Sequence, residues 1–153
     1  MSVLIRPARA AEAGILSDLA LRSKAHWGYD ADFLDACREE LTLRADEVAG
    51  RRTTVAERDG RVLGFTTLEG GPPTGVLGMM FVEPRAIGQG IGRLLFEHTA
   101  AAARALGFTR LTIEADSHAE PFYRAMGAVP TGTVPSGSIP GRLLPTLLLT
   151  LPH

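Results

Sequence analysis

Three glycines at alternate positions, Gly88, Gly90 and Gly92, constrain this chain more than any other feature of its sequence. They stand in EPRAIGQGIGRLLFEH, residues 83–98, immediately before an apolar pattern with helical spacing. Glycine is unfavourable inside a helix, so three glycines at a helix start indicate a backbone that turns sharply or lies close to something. The amides of a helix N-terminus attract anions, and glycines let a bulky anion approach them. The stretch therefore predicts a phosphate-binding turn or a tight connection that binds nothing.

The segments around this turn predict a strand, a helix and a second strand. Residues 76–82, VLGMMFV, are an apolar run typical of a strand covered on both faces. The helix that follows the glycines has an apolar stripe that includes His98, and Gly107 is a natural stop for it. Residues 109–116, TRLTIEAD, alternate apolar and polar side chains as a strand does. Strands joined through a helix run parallel, so the sequence predicts a parallel pair here.

The first half of the chain predicts further strands and helices. Residues 2–8 are typical of a strand, residues 9–25 of an Ala-rich helix, and residues 31–41 roughly of a second helix. Asp59 and Gly60 form a tight-turn pair between two strand-like runs, which predicts a β-hairpin. This half therefore adds at least three strands and two helices.

The last part of the chain predicts one more helix and two more strands. Residues 119–126, AEPFYRAM, favour a short helix, and Ser117 and Glu120 have the spacing of a capping box. Residues 128–151 consist of a loop with Pro and Gly between two strand-like runs. No repeat or linker interrupts the 153 residues, so residues 1–153 are predicted to form a single α/β domain.

Composition excludes several classes of partner. The formal net charge of -1, from 16 basic and 17 acidic residues, indicates neither nucleic acid nor an anionic membrane surface as a partner. The longest apolar run, residues 143–151, contains Pro145 and is too short to span a bilayer. A single cysteine, Cys37, fits a reducing compartment, and the first residues lack a secretory signal pattern, so a cytoplasmic location is expected. No spacing of His, Cys, Asp and Glu predicts a metal site.

The spacing of the glycines discriminates between phosphate-binding motifs. A Walker-type loop requires Lys and Ser or Thr after its last glycine, but Gly92 is followed by Arg93 and Leu94. A dinucleotide fingerprint requires G-x-G-x-x-G, and here the third glycine comes one position early. Glu114 or Asp116 stands at the distance of the ribose-binding acid in that fingerprint. A nucleotide-binding oxidoreductase thus remains as a weaker alternative.

Three motifs in a fixed order resemble the GNAT superfamily of acyl-CoA-dependent N-acetyltransferases. They are V-x-P at 82–84, GQGIGRLL at 88–95 and FYRAMGA at 122–128. The similarity extends over residues 76–128, and the order of the flanking elements agrees with it. The resemblance implies a GNAT-like α/β fold, a mixed central β-sheet of about six to seven strands flanked by about four helices.

The resemblance implies acetyl-CoA as co-substrate. In this family the strand before the turn lends backbone groups to the pantetheine arm, and the amides of the turn hold the pyrophosphate. The family turn usually begins with Arg or Gln, whereas Ile87 stands there, so backbone amides are expected to do most of the holding. The frequent Asn before the last helix is also replaced, in the region of Asp116 to His118. The implied cofactor-binding residues are Met80, Phe81, Val82, Ile87, Gly88, Gln89, Gly90, Ile91, Gly92, Arg93, Ser117 and Tyr123.

The implied reaction is transfer of an acetyl group to a primary amine of a small molecule or peptide, in a cleft between splayed parallel strands. Tyr123 matches the family tyrosine near the thioester sulfur, which commonly acts as acid toward the leaving thiolate; a core aromatic is the alternative. Residues 76–82 carry no titratable side chain. Candidates for the base are therefore Glu69, Glu114 and His118, each of which also reads as a surface or capping residue, or a chain of water molecules.

The acceptor amine is expected beside a cluster of rings at a break between two helices. His26, Trp27 and Tyr29 form this cluster, which in the family borders the acceptor cleft. Arg142, in the loop 135–142, is a candidate partner for a substrate carboxylate. Anchoring of the two loops on the core explains the same residues equally well.

A non-catalytic acyl-CoA sensor of the same fold remains an alternative to an enzyme, because the strand carboxylate and the Asn are missing. The sequence does not decide the oligomeric state. Dimers are common in families of this kind, which keeps a homodimer among the candidate partners.

Overall fold

The structure is a computed structural model and describes residues 2–152. Within that range the helices are α1 (Ala13–Ala25), α2 (Ala31–Cys37), α3 (Ile91–Ala105) and α4 (Glu120–Ala125). The strands are β1 (Leu4–Pro7), β2 (Thr54–Arg58), β3 (Arg61–Glu69), β4 (Thr74–Val82), β5 (Arg110–Glu114), β6 (Val129–Pro135) and β7 (Leu143–Thr150). The α/β fold implied by the resemblance is confirmed.

The seven described strands form one mixed sheet in the order β1-β2-β3-β4-β5-β7-β6. Neighbouring strands run antiparallel, except β4 and β5, which run parallel as the strand, helix, strand pattern predicts. Asp59 and Gly60 close the β2–β3 hairpin with positive φ angles of 54° and 76°, as the sequence of that turn predicts.

The parallel pair separates soon after it begins. β4 and β5 are paired only from Thr74 opposite Arg110 to Val76 opposite Thr112. Beyond that point β4 stays with β3 as far as Val82, while β5 stays with β7 as far as Glu114. The sheet therefore opens in its middle into a V-shaped gap, with its apex beside Val76.

Helices cover both faces of the sheet and bury its core in layers. On one face α1 and α2 pack over side chains that include Val55, Phe65 and Met79. On the other face α3 packs over β2, β3 and β4, and α4 covers β5 and β7. None of the helices described between residues 2 and 152 is long and apolar enough to cross a membrane.

The prediction that His98 lies in the apolar stripe of α3 is wrong. The buried side chains of α3 are Ile91, Leu95, Phe96, Thr99 and Ala103, a stripe that advances mostly by four residues. His98 lies outside this stripe and is exposed. α3 carries more apolar residues than its buried face can hold, so the apolar pattern alone does not locate that face.

Three further local predictions need correction. β4 is not covered on both faces, because buried and exposed residues alternate along its first half and Val76 is 39% exposed beside the gap. α2 ends at Cys37 rather than near residue 41, and turns follow it. The capping box is absent: Ala119 occupies the N-cap of α4 with no side-chain hydrogen bond, whereas the Asp116 carboxylate accepts from His118 N in the preceding turn.

Candidate active site

The gap between β4 and β5 widens into a cavity of about 810 Å³ that reaches both faces of the sheet. Lys24 and Trp27 line it on the side of α1 and α2. Gly90 and Tyr123 line it on the side of α3 and α4. A molecule threaded through the gap can therefore bind at the start of α3 and present its other end near α1.

Several backbone N–H groups at the start of α3 have no hydrogen-bond acceptor. Gly88 and Gly90 have φ angles of +87° and +83°, which residues with a side chain rarely adopt, and a Cβ at either position would meet open space. α3 has no side-chain cap. Within residues 2–152 no group accepts a hydrogen bond from the amides of Gly88, Gly90, Ile91, Gly92 and Arg93. Oriented amides without an acceptor at a helix N-terminus form an anion site.

The other residues of this turn have distinct positions. Gly92 lets α3 approach its neighbours, since a Cβ there would stand 3.3 Å from the Phe122 ring and 3.4 Å from Met80. Ile87 is exposed and lines the cavity. Gln89 turns outward, where Arg58 donates to its side chain at 2.8 Å, so the structure does not bring this side chain into the cavity.

β4 turns part of its backbone toward the gap. Met79 N donates to Thr67 Oγ1 and Glu83 N donates to the Leu63 carbonyl, both on the β3 side. Backbone groups alternate in direction along a strand, so those of Met80 and Val82 face the side from which β5 has separated. The unpaired edge is therefore available to an extended ligand.

Tyr123 lies deep in the wall of the cavity. Its side chain packs edge-on against Phe122 and beside Phe96, and the residue is 7% exposed. Burial raises the pKa of its hydroxyl well above the ordinary tyrosine value. The hydroxyl therefore stays protonated. Within residues 2–152 its Oη makes no hydrogen bond, so it is free to donate to a group in the cavity.

Glu69 reaches the apex of the gap from β3. Arg51 Nη2 donates to its carboxylate at 2.8 Å, and Thr67 Oγ1 donates at 2.8 Å. The carboxylate occupies the space above Gly78 where a β4 side chain would otherwise stand, since a Cβ at Gly78 would collide with it. Glu69 thus supplies a carboxylate to a stretch of β4 that has none of its own.

Glu114 and Ser117 differ in their relation to the cavity. Glu114 lies at the end of β5, is exposed and lines the cavity. Ser117 is exposed and lies outside the described lining, so its predicted cofactor contact gains no support. The neighbouring Asp116 occupies the wall instead.

Asp116 is the centre of a charged cluster that sequence reasoning missed. Its carboxylate accepts from Lys24 Nζ at 2.7 Å, Tyr29 Oη at 2.8 Å, Arg142 Nη2 at 3.1 Å and His118 N at 2.8 Å. Burial tends to raise the Asp116 pKa, but the hydrogen bonds from Lys24 and His118 lower it well below the ordinary aspartate value. No spacing in the sequence signals this cluster, because its members lie on four separate segments.

Of the four residues predicted to border the acceptor amine, some line the cavity and others lie behind its wall. Trp27 and Arg142 line the cavity, and the Trp27 ring stacks on His118 with 5.1 Å between centroids. Tyr29 lies behind them, hydrogen-bonded to Asp116 and Arg142. His26 contacts the edge of the Trp27 ring and is not part of the lining. Two of the four residues therefore contact the cavity directly.

The acetyltransferase (GNAT) family model matches residues 19–128 of the chain. The chain belongs to this family. The peptidyl-lysine N-acetyltransferase YiaC of Escherichia coli K12 is 32% identical to it over 96 residues, which cover 62% of this chain and 63% of that protein. The matched region thus spans less than two thirds of YiaC.

Solved structures agree on the fold. A GCN5-related N-acetyltransferase from Rhodopseudomonas palustris superimposes with a TM-score of 0.83 at 23% identity, covering 99% of this chain and 97% of that chain. The PaiA N-acetyltransferase of Thermoplasma acidophilum, solved with coenzyme A, gives 0.82 at 16% identity, covering 98% and 99%. At these identities the comparison shows the fold alone. Among residues 2–152 no His, Cys, Asp and Glu side chains group as a metal site requires.

Both tyrosines of this GNAT domain are expected to titrate late. Burial first, and then the hydrogen bond to Asp116, raises the Tyr29 pKa to about 12, from 10.0, and burial raises that of Tyr123 further. Because the pKa values are raised in the folded state, keeping these phenols protonated favours folding. This stabilisation is complete below pH 10 and is lost as the pH rises through about 12. Tyrosinate ultraviolet absorbance should therefore appear only near unfolding. A component titrating near pH 10 in the folded protein would contradict the burial of both rings.

Proposed function

We propose that this protein transfers an acetyl group from acetyl-CoA to a primary amine of a small molecule or peptide, by direct attack inside the gap between β4 and β5. The main observation in support is that one cavity joins the free amides at the start of α3 to the buried Tyr123 hydroxyl and to a second opening beside Trp27. Membership of the acetyltransferase family supports the reaction type. YiaC, by its name, acts on peptidyl lysine, which supports an amine acceptor.

The residues present fit the two parts of coenzyme A. The amides of Gly88 and of the residues from Gly90 to Arg93 would hold the diphosphate, since these residues line the cavity and their amides have no acceptor within residues 2–152. The outward backbone groups of Met80 and Val82, with Phe81 between them, would pair with the amides of the pantetheine arm. When bound, acetyl-CoA supplies an already activated thioester, so the protein has only to orient the amine and manage charge and protons.

Tyr123 is the proposed acid. Its hydroxyl remains protonated because burial raises its pKa, and it has no acceptor within the described chain. It would donate a hydrogen bond to the sulfur as the thiolate leaves. A proton donor whose pKa lies above that of a thiol still stabilises developing negative charge by hydrogen bonding.

Glu69 is the proposed base, with Glu114 as the second candidate. Glu69 stands at the apex of the gap, anchored by Arg51 and Thr67, and can take a proton from the amine directly or through water. Glu114 is exposed and has no side-chain partner within residues 2–152 that would fix its position. The lack of a carboxylate on β4 was a reason to consider a non-catalytic sensor. Glu69 provides a carboxylate at that place, so this reason no longer favours a sensor.

The acceptor is proposed to enter beside Trp27 and Arg142. Trp27 offers a ring face for the apolar part of the acceptor, and Arg142 retains N–H groups beyond those that contact Tyr29 and Asp116. Tyr29 and His26 hold these two side chains in place from behind.

A binding and turnover experiment tests the proposal. Acetyl-CoA, and not NAD(P), should raise the melting temperature, and free thiol should be released when a panel of amines and lysine peptides is added. Gly90→Glu should weaken acetyl-CoA binding at least about tenfold through bulk and charge repulsion. Gly60→Glu is the matched control, because Gly60 has a similar φ of +76° and open space around it but lies in the β2–β3 turn. Stabilisation by NAD(P) alone would refute the proposal, and binding without release for any amine would favour a sensor.

Tyr123→Phe should lower kcat by about 10²-fold, the usual contribution of a positioned acid, with acetyl-CoA affinity nearly unchanged. The ring packing is preserved, so folding is expected to survive. Steady-state kinetics and calorimetric titration with acetyl-CoA check the two parts separately. If kcat stays at the wild-type value, Tyr123 is a wall residue only.

Glu69→Gln should lower kcat by about 10²-fold, because the amide keeps the shape of the carboxylate but cannot take a proton. Glu114→Gln, on the opposite strand of the same cavity, is the paired comparison and should change kcat far less. Parallel pH profiles of kcat for the two variants measure this. The reverse ranking would transfer the role of base to Glu114.

A further inference from the structure

Helix α1 is attached to the far ends of both separated strands. Arg22 forms a two-pronged ion pair with Glu83, the residue after β4, with Nε to Oε1 at 3.1 Å and Nη2 to Oε2 at 2.7 Å. Lys24 Nζ donates at 2.7 Å to Asp116, just beyond the end of β5. These two contacts bridge the open side of the V-shaped gap, opposite its apex.

The spacing of the two cations suits this bridge. Residues of an α-helix advance by about 100° each, so Arg22 and Lys24 point about 200° apart around α1. Ser23, between them, lines the cavity. Arg22 therefore reaches one strand end, Lys24 reaches the other, and the face between them looks into the gap.

Glu83 links this bridge to the anion-binding turn. It is 8% exposed, its amide donates to the Leu63 carbonyl, and its own carbonyl accepts from Ala86 N at 2.8 Å in the turn that leads to Ile87. The hydrogen bonds from Arg22 lower the Glu83 pKa, in spite of burial. Neither Arg22 nor Glu83 lines the cavity. An effect of this pair on cofactor binding must therefore pass through the position of the turn.

Within the described sheet, backbone pairing does not fix the distance between the two strand ends. β4 and β5 share no backbone pairing after Val76 and Thr112, and each is held by a different neighbour. A bidentate arginine–carboxylate pair fixes direction as well as distance, and a mostly buried carboxylate that loses its partner must shift toward solvent or take up a proton.

We infer that Arg22 and Lys24 act as a brace, in which α1 sets the width of the gap between β4 and β5, and that Arg22 and Glu83 are positioning residues for the anion-binding turn. The inference rests on the proposed function for its kinetic consequences only. Asp116 has further donors in Tyr29, Arg142 and His118, whereas Glu83 has Arg22 as its side-chain partner. The attachment at Glu83 is therefore the more sensitive of the two to loss of its cation.

Arg22→Met is expected to raise the KM for acetyl-CoA about fivefold, while kcat changes little, because the turn is displaced but the reacting groups are not. Arg22→Lys, which retains the charge but not the two-pronged contact, should lie between wild type and Arg22→Met. Glu12→Gln is the control. It removes charge from another largely buried ion pair, with Arg6 at 2.7 Å, which lies outside the cavity lining. Its KM should remain at the wild-type value even if its stability falls.

The combination of both anchors tests the brace itself. If α1 needs both attachments, Arg22→Met and Lys24→Met should have non-additive effects on acetyl-CoA affinity, the double variant being little worse than the weaker-binding single variant. Trp27, the single tryptophan, stacks on His118 just beyond the Lys24 contact. Its fluorescence in the free protein should therefore change in both single variants. Fully additive effects, or an unchanged KM in Arg22→Met, would overturn the inference.

Failure of the proposed function would be visible separately, as a wild-type protein that does not bind acetyl-CoA. Hydrogen exchange in the free variants then decides the brace. The readout is the three hydrogen-bonded amides of the segment 84–93, those of Ala86, Ile87 and Gln89. Faster exchange of these amides in Arg22→Met than in Glu12→Gln supports the brace, because a general loss of stability would affect both variants. Equal exchange over that segment overturns it.

Discussion

The early separation of β4 from β5 is the constraint on which the rest of this structure depends. Continuous pairing would satisfy the facing backbone groups of both strands and leave no cavity. Pairing that stops at Val76 and Thr112 instead leaves one edge of β4 unpaired, opens the sheet to both of its faces and places the start of α3 at one mouth of the gap. The unpaired backbone groups of β4 are therefore available to an extended ligand because of the sheet topology, with little demand on the identity of side chains.

Glycines around the gap have two structural roles, which are to adopt positive φ angles and to leave room for close packing. Gly88 and Gly90 provide the positive φ angles that turn amides outward. Gly92 lets α3 lie close to Phe122, and Gly78 leaves room for the Glu69 carboxylate. The first three stand in a recognisable motif, whereas Gly78 sits in an ordinary apolar strand. Its importance depends on a side chain from the neighbouring strand, which a pattern along one segment cannot report.

The sequence therefore predicts the elements and the turn well, and the charged half of the site poorly. Strand alternation, the Asp59–Gly60 turn and the alternate glycines act over a few residues, so local physics determines them. Lys24 and Asp116 lie 92 positions apart, and only the tertiary fold brings them together. The error at His98 has a related cause, because α3 carries apolar residues on more of its circumference than the sheet can cover, as the 42% exposure of Leu94 shows.

The Asp116 cluster also limits where the pH dependence of this protein can originate. Hydrogen bonds from Lys24 and His118 keep the Asp116 carboxylate ionised well into acid, and the raised pKa of Tyr29, about 12, keeps that phenol neutral well into base. The charges of these two groups therefore stay constant across the neutral range. A pH dependence in that range must therefore arise from groups other than Asp116 and Tyr29.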